Sequence, residues 1–185
     1  MPRTPMHHKN IAGKKKYVFR KANHIYKSAF VEEKRRISKS VSIADAAIEH
    51  VGSTAVPELG GKNVLDILVG LKRGRRDMLK EKLQSLGYDF MPGSGSPHRL
   101  FFIKDILYKR KRMRIHLHLV KFDGREWKQK TAFRDYLTRH KDAVRDYEAV
   151  KKKAVKMANG DKDTYMRVKN GFIRRITREA LRTRK

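Results

Sequence analysis

The stretch from Ile48 to Val69, IEHVGSTAVPELGGKNVLDILV, constrains the fold of this chain more than any other. One apolar run ends at Val51, and a Gly-Ser-Thr turn (Gly52, Ser53, Thr54) follows it. The connection through Pro57, Gly60 and Gly61 is irregular, and Lys62 closes it. The next run, Val64 to Val69, is short and almost wholly apolar, which is the pattern of a buried strand bounded by turn residues. Asp66 stands inside that strand, where a carboxylate is costly without a partner. The turn can offer backbone N–H groups and hydroxyls to an anion. Lys62 adds a positive charge, and Asp66 can meet a metal or a base. A site is expected where these two strands meet.

The rest of the chain supplies scaffold around that site. From Tyr17 to Ser40 the apolar positions recur at helical spacing, with Glu32, Glu33, Lys34, Arg35 and Arg36 expected on an outer charged surface. Gly70 and Gly74 are expected to end the second strand. A helix then runs through Met78, Leu79, Leu83 and Leu86 to a cap at Gly87. Residues 91–98 form a loop. Leu100–Ile106 and Met113–Val120 read as strands joined by the basic turn Lys109, Arg110, Lys111 and Arg112. His116 and His118, two apart, project from one face of the later strand. Imidazoles so placed can act as metal ligands, phosphate donors or proton donors, or be structural partners of a carboxylate. The last third reads as three helices marked by Phe133–Leu137, Ala143–Ala158 and Tyr165–Ala180, with a stop at Asn159-Gly160. Lys151, Lys152, Lys153, Lys156, Arg167, Lys169, Arg174, Arg175 and Arg178 are assigned to their outer faces.

Charge narrows the partners. Forty-seven Lys and Arg against nineteen Asp and Glu leave a net +28, a field that attracts nucleic acids, nucleotides and other polyanions. The absence of cysteine excludes disulfides, thiolate catalysis and Cys-ligated zinc. No apolar run approaches the ~20 residues of a membrane span, so a cytoplasmic protein with no membrane partner is expected. Residues 1–16, with His7, His8 and Lys14–Lys16, read as a flexible basic arm, and 17–185 as one domain. Oligomeric state is not legible.

Glu49-His50-Val51-Gly52-Ser53-Thr54-Ala55-Val56-Pro57, then Lys62, then Leu65-Asp66-Ile67-Leu68-Val69, resemble the GrpB family. Leu86-Gly87-Tyr88, His116-Leu117-His118, Phe133-Arg134-Asp135-Tyr136-Leu137, Tyr165, Lys169 and Phe172-Ile173 continue the resemblance in order. The family's usual Pro and Trp near the N-terminus are missing, Glu58 replaces a small residue, and Asn63 replaces a Pro. The resemblance implies a nucleotidyltransferase-like α/β (α+β) fold, a mixed sheet flanked by helices with a helical C-terminal third. In that superfamily a Gly-Ser turn holds nucleotide phosphates, while a D-x-D pair and a third carboxylate bind two metals.

Carried over residue by residue, Gly52 and Ser53 match the phosphate turn and Asp66 the first aspartate. Leu68 occupies the second position, and no Asp or Glu lies between Met113 and Val120. The residues expected to carry chemistry are Asp66, Lys62, His116 and His118. Gly52, Ser53, Thr54, Lys62 and His50 are expected at a nucleotide or other phosphate-bearing ligand. A Mg or Mn ion would fall to Asp66, Glu49, His116 and His118, and a metal-free site with Lys62 and the histidines as phosphate donors is equally compatible. The expected function is nucleotide binding, with nucleotidyl or phosphoryl transfer as the reaction class. The alternative is a catalytically silent basic module that binds RNA or DNA.

Overall fold

A computed structural model describes residues 19–42 and 44–183; the expected arm at 1–16 lies outside them. Helix α1 (Ile25–Ser40) buries Tyr26, Ala29, Glu33 and Ile37, one stripe at helical spacing. Strands β1 (Ala46–Val51) and β2 (Leu65–Leu71) follow, then α2 (Arg76–Ser85), β3 (Asp89–Phe90), β4 (Arg99–Tyr108) and β5 (Lys111–Lys121). The strands form one mixed sheet in the order β1-β2-β5-β4-β3, in which only the β2–β5 pair is parallel. Helices α3 (Arg125–Arg139), α4 (Lys141–Ala158) and α5 (Lys162–Arg182) complete an α+β fold with a helical C-terminal third.

Side chains alternate across the sheet. Leu65, Ile67, Val69, Ile115, Leu117 and Leu119 face α1 and α2 and form the larger core with Ile37, Leu79 and Leu83. The opposite face of β2 and β5 carries Asp66, Leu68, His116 and His118. Beside them Val51, Leu68 and Val120 pack on Trp127 of α3. A separate core binds α3, α4 and α5 through Ala132, Tyr136, Leu137, Tyr147, Phe172 and Ile176. Val56 and Leu59, from the connection after the Gly-Ser-Thr turn, are inserted into it. That insertion wedges the turn between the sheet and the helical bundle.

Several local expectations are corrected. Gly70 does not end β2 but lies within it, because a Cβ there would meet the Trp127 ring at 2.6 Å. Met78 is 53% exposed, off the buried face of α2. The hairpin turn shrinks to Lys109 and Arg110, both at positive φ (46° and 62°), since Lys111 and Arg112 pair with Tyr108 and Leu107. Two-residue turns of this hand ordinarily take Asn-Gly. Glu33 is buried, not surface: its Oε1 accepts from Tyr88 Oη at 2.9 Å and from Lys104 Nζ at 2.7 Å. The caps stand as read. Gly87 at φ 84° ends α2, with the Tyr88 amide donating to the Leu83 carbonyl, and Asn159 ends α4 in the left-handed region.

Candidate functional site

The parallel register of β2 and β5 places Asp66 beside His116 and Leu68 beside His118. Asp66 Oδ1 lies 3.6 Å from His116 Nδ1 and 3.7 Å from His118 Nε2. The other carboxylate oxygen rests against Gly52, where an added Cβ would sit 2.2 Å from it. Phe101, across the β4–β5 ladder, packs on both imidazoles with ring centroids 5.1 and 5.2 Å away. Burial pushes the Asp66 carboxyl up, but the two histidines outweigh it and hold the group well below the usual carboxylate range. His118 is pushed down to about 4, by burial first and then by Lys130, against the pull of Asp66. Its Nδ1 is buried without a hydrogen-bond partner. His116 is the more accessible ring, its side chain 31% exposed against 12% for His118.

Cations surround this pair. Lys130 of α3 and Lys169 of α5 interact electrostatically with Asp66 and with each other, and burial lowers both ammonium pKa values. Lys62 Nζ lies 4.0 Å from the centroid of the Tyr165 ring and Lys169 Nζ 4.6 Å from the same ring, so that two ammoniums share one aromatic side chain. Lys151 of α4 is 3% exposed and donates to the Gly60 carbonyl. Burial takes its pKa down to about 7, with Glu148 opposing and Lys169 adding to the shift. Gly61 beside it has no room for a side chain, since a Cβ would meet Ser53 Oγ at 2.6 Å.

The other residues expected at the site are placed less centrally. Glu49 is tied to Arg134 of α3, with Oε2 accepting from Nη1 at 2.6 Å, and the same nitrogen donates to the His50 carbonyl. His50 turns to the opposite sheet face and stacks on Phe30. Thr54 Oγ1 donates to the Val64 carbonyl at 3.0 Å and lies 3.0 Å from His50 Nε2, so its hydroxyl holds the turn together. Mg and Mn favour oxygen-rich ligand sets. Here a single carboxylate stands with two imidazoles among lysines, and Leu68, fully buried, fills the place of a second aspartate. No group of three His, Cys, Asp or Glu among the described residues is arranged to hold an ion. The donor set does not fit either metal.

Sequence reasoning missed Lys130, Lys151 and Lys169 as inward groups. The signal was present. Lys151 stands four residues after buried Tyr147, and Lys169 four after buried Tyr165 and three before buried Phe172, so both belong to the inner faces of their helices. Lys130 shares its face of α3 with Glu126 and Arg134 by the same spacing.

The depressed histidines set a pH dependence. The unfolded chain takes up protons on His50 and His118 as pH falls through about 6.5, whereas both rings resist protonation in the fold until about 4. Their contribution to stability is therefore full above the unfolded value and is lost as pH falls toward 4. Asp66, with its depressed carboxyl, acts in the same direction. Urea midpoints measured from pH 7.5 to 4 should fall most steeply below 6.5, and His118→Phe should flatten that slope.

Comparison with known proteins agrees with this architecture. The family model described as GrpB protein matches residues 17–179. A UPF0157 protein of Pseudomonas aeruginosa is 30% identical over 153 residues, covering 82% of this chain and 62% of that protein. Glutamate-rich protein GrpB of Alkalihalophilus pseudofirmus is 27% identical, covering 83% of this chain and 90% of the relative. The matched region is thus less than two thirds of the Pseudomonas protein's length. The crystal structure of conserved protein GrpB from Enterococcus faecalis superposes with a TM-score of 0.76 at 28% identity, covering 90% of this chain and 98% of that one.

Proposed function

The chain belongs to the GrpB family, and on that premise we propose that it binds a phosphate-bearing ligand of the nucleotide class between the sheet and the helical bundle. The observation that carries this reading is the inward placement of Lys130 and Lys169 at Asp66, with Lys151 coupled to Lys169 and Lys62 at the Tyr165 ring that Lys169 also meets. Like charges brought inward repel, and the carboxylates of Asp66, Glu126 and Glu148 stand against four lysines. A ligand bringing several negative charges relieves that repulsion and favours the ammonium forms. Gly52 and Ser53 line the turn beside it, and Lys62 and Lys169 supply positive charges at the Tyr165 ring.

Transfer of a nucleotidyl or phosphoryl group is the reaction class that fits such a ligand. His116 is the side chain placed to handle the proton. Its Nδ1 faces Asp66, which orients the ring, and its Nε2 would accept the proton of an attacking hydroxyl. Asp66 is the positioning group and Lys62 the charge-neutralising one.

Thermal unfolding with pyrophosphate and nucleoside triphosphates, with and without Mg²⁺, tests the reading against sulfate at matched ionic strength. Saturation at a hundred times Kd should add ~2.7 kcal/mol, a Tm rise of roughly 5–10 °C for a domain of this size. Lys169→Met and Lys62→Ala should abolish the rise. Equal rises with sulfate, or rises that survive both substitutions, would overturn the proposal.

A further inference from the structure

We propose that the outward stripe of α5 docks on the phosphodiester backbone of double-helical nucleic acid, a surface separate from the ligand site. Arg167, Arg174, Arg178 and Arg182 lie seven, four and four residues apart and are all exposed. They fall on one line down the helix, opposite the buried Tyr165, Phe172, Ile176 and Ala180. At about 1.5 Å per residue the line runs roughly 22 Å. None of the four makes an ion pair with a carboxylate among the described residues. Asp161 caps the helix by accepting from the Thr164 amide, Glu179 accepts from Tyr136 Oη, and Asp163, exposed one turn before Arg167, is the acidic residue at the start of this line. A solvated helix face ordinarily mixes both signs of charge. Guanidinium groups, moreover, match phosphate oxygens two at a time.

A second observation points to close approach by a partner. Gly171 sits on this same line, between Arg167 and Arg174, exposed in the middle of a 21-residue helix. A Cβ there would meet nothing within 4 Å, so no packing inside the fold calls for a glycine. The residue costs the helix about 1 kcal/mol relative to alanine. What it provides is bare backbone at the centre of the arginine line, where a sugar-phosphate strand can lie against the helix. The aromatic residues of α5, Tyr165 and Phe172, are buried, so the line offers no platform for stacking unpaired bases. Phosphate contacts without base contacts favour a duplex and read no sequence. The net charge of +28, in a family that includes a protein named as glutamate-rich, supplies the long-range attraction.

Fluorescence anisotropy with RNA and DNA duplexes of about 20 base pairs, across about 50–200 mM salt, tests the surface. Neutralising four phosphates gives a log–log slope of about −3.6, and any further cation steepens it. Arg174→Gln with Arg178→Gln should reduce the slope by about 2 and leave Tm unchanged. Gly171→Leu should raise Tm yet weaken duplex binding about tenfold, a combination that an idle glycine does not produce. Pyrophosphate at matched ionic strength should leave duplex binding intact, whether or not it binds the ligand site. A preference for RNA or DNA identifies the source of the duplex. The proposal is overturned if the double variant keeps wild-type affinity and slope, if a single strand binds more tightly than either duplex, if pyrophosphate displaces the duplex, or if phosphatidylserine vesicles bind where duplexes do not.

Discussion

Replacing Glu33 with leucine is expected to cost ~3–5 kcal/mol, lowering Tm by roughly 6–20 °C. Glu33 is 4% exposed and Lys104 8%, and their charged atoms meet at 2.7 Å between α1 and β4. Removing the carboxylate strands an ammonium in the interior and takes away the acceptor of the Tyr88 hydroxyl. The phenol reports the same environment, since burial and then the Glu33 charge push its pKa far above the ordinary value. The loss belongs to breaking the pair and not to polarity as such. Glu33→Leu combined with Lys104→Met should therefore recover most of it, as buried pairs replaced whole by apolar groups are often neutral. Urea midpoints of the two single variants and the double, read as a cycle, give the coupling energy. Additive losses would show that Lys104 escapes to water.

That pair also shows where sequence reading stops. Periodicity places α1 and its apolar stripe, but Glu33 occupies a stripe position at i+4 from Ala29, and residue type sends it outward. Lys151 and Lys169 fail in the same way. In each case helical spacing carried the right answer and charge overrode it, because the partners that make burial tolerable (Tyr88 and Lys104, the Gly60 carbonyl, Asp66) come from distant parts of the chain. The sheet site was more legible. Alternation set His116 and His118 on one face, and the cost of burying Asp66 demanded a partner, which the parallel register supplies. The register itself, the two-residue β3, and the Trp127 ring that makes Gly70 a strand residue are tertiary facts without a local signature. Glu49 and His50 illustrate the complementary limit. Adjacent in sequence, they leave the strand on opposite faces, so a motif that names both cannot place both at one ligand.

Gly52→Ala should disable the site more thoroughly than any charge substitution. Gly52 holds φ 75° and ψ −172°, a region essentially closed to residues with a side chain and worth about 1–3 kcal/mol of strain. The methyl has no room either, because it would lie 2.2, 2.8 and 2.9 Å from Asp66 Oδ2, Cγ and Cβ. Backbone strain and collision together should cost ~3 kcal/mol or more. The carboxylate is the softer of the colliding parts, so it is the group that moves, away from His116 and His118. Three observables follow from that single displacement. The urea midpoint drops, the stabilisation by pyrophosphate or nucleotide is lost, and the loss of stability below pH 6.5 deepens as His118 loses the carboxylate that holds its pKa up. Asp66→Ala in the Gly52→Ala background separates the two costs. It removes the colliding atoms beyond Cβ and should restore part of the stability, leaving the backbone strain and none of the ligand response. If the double variant is no more stable than Gly52→Ala alone, the collision is absorbed elsewhere, and the turn does not position Asp66.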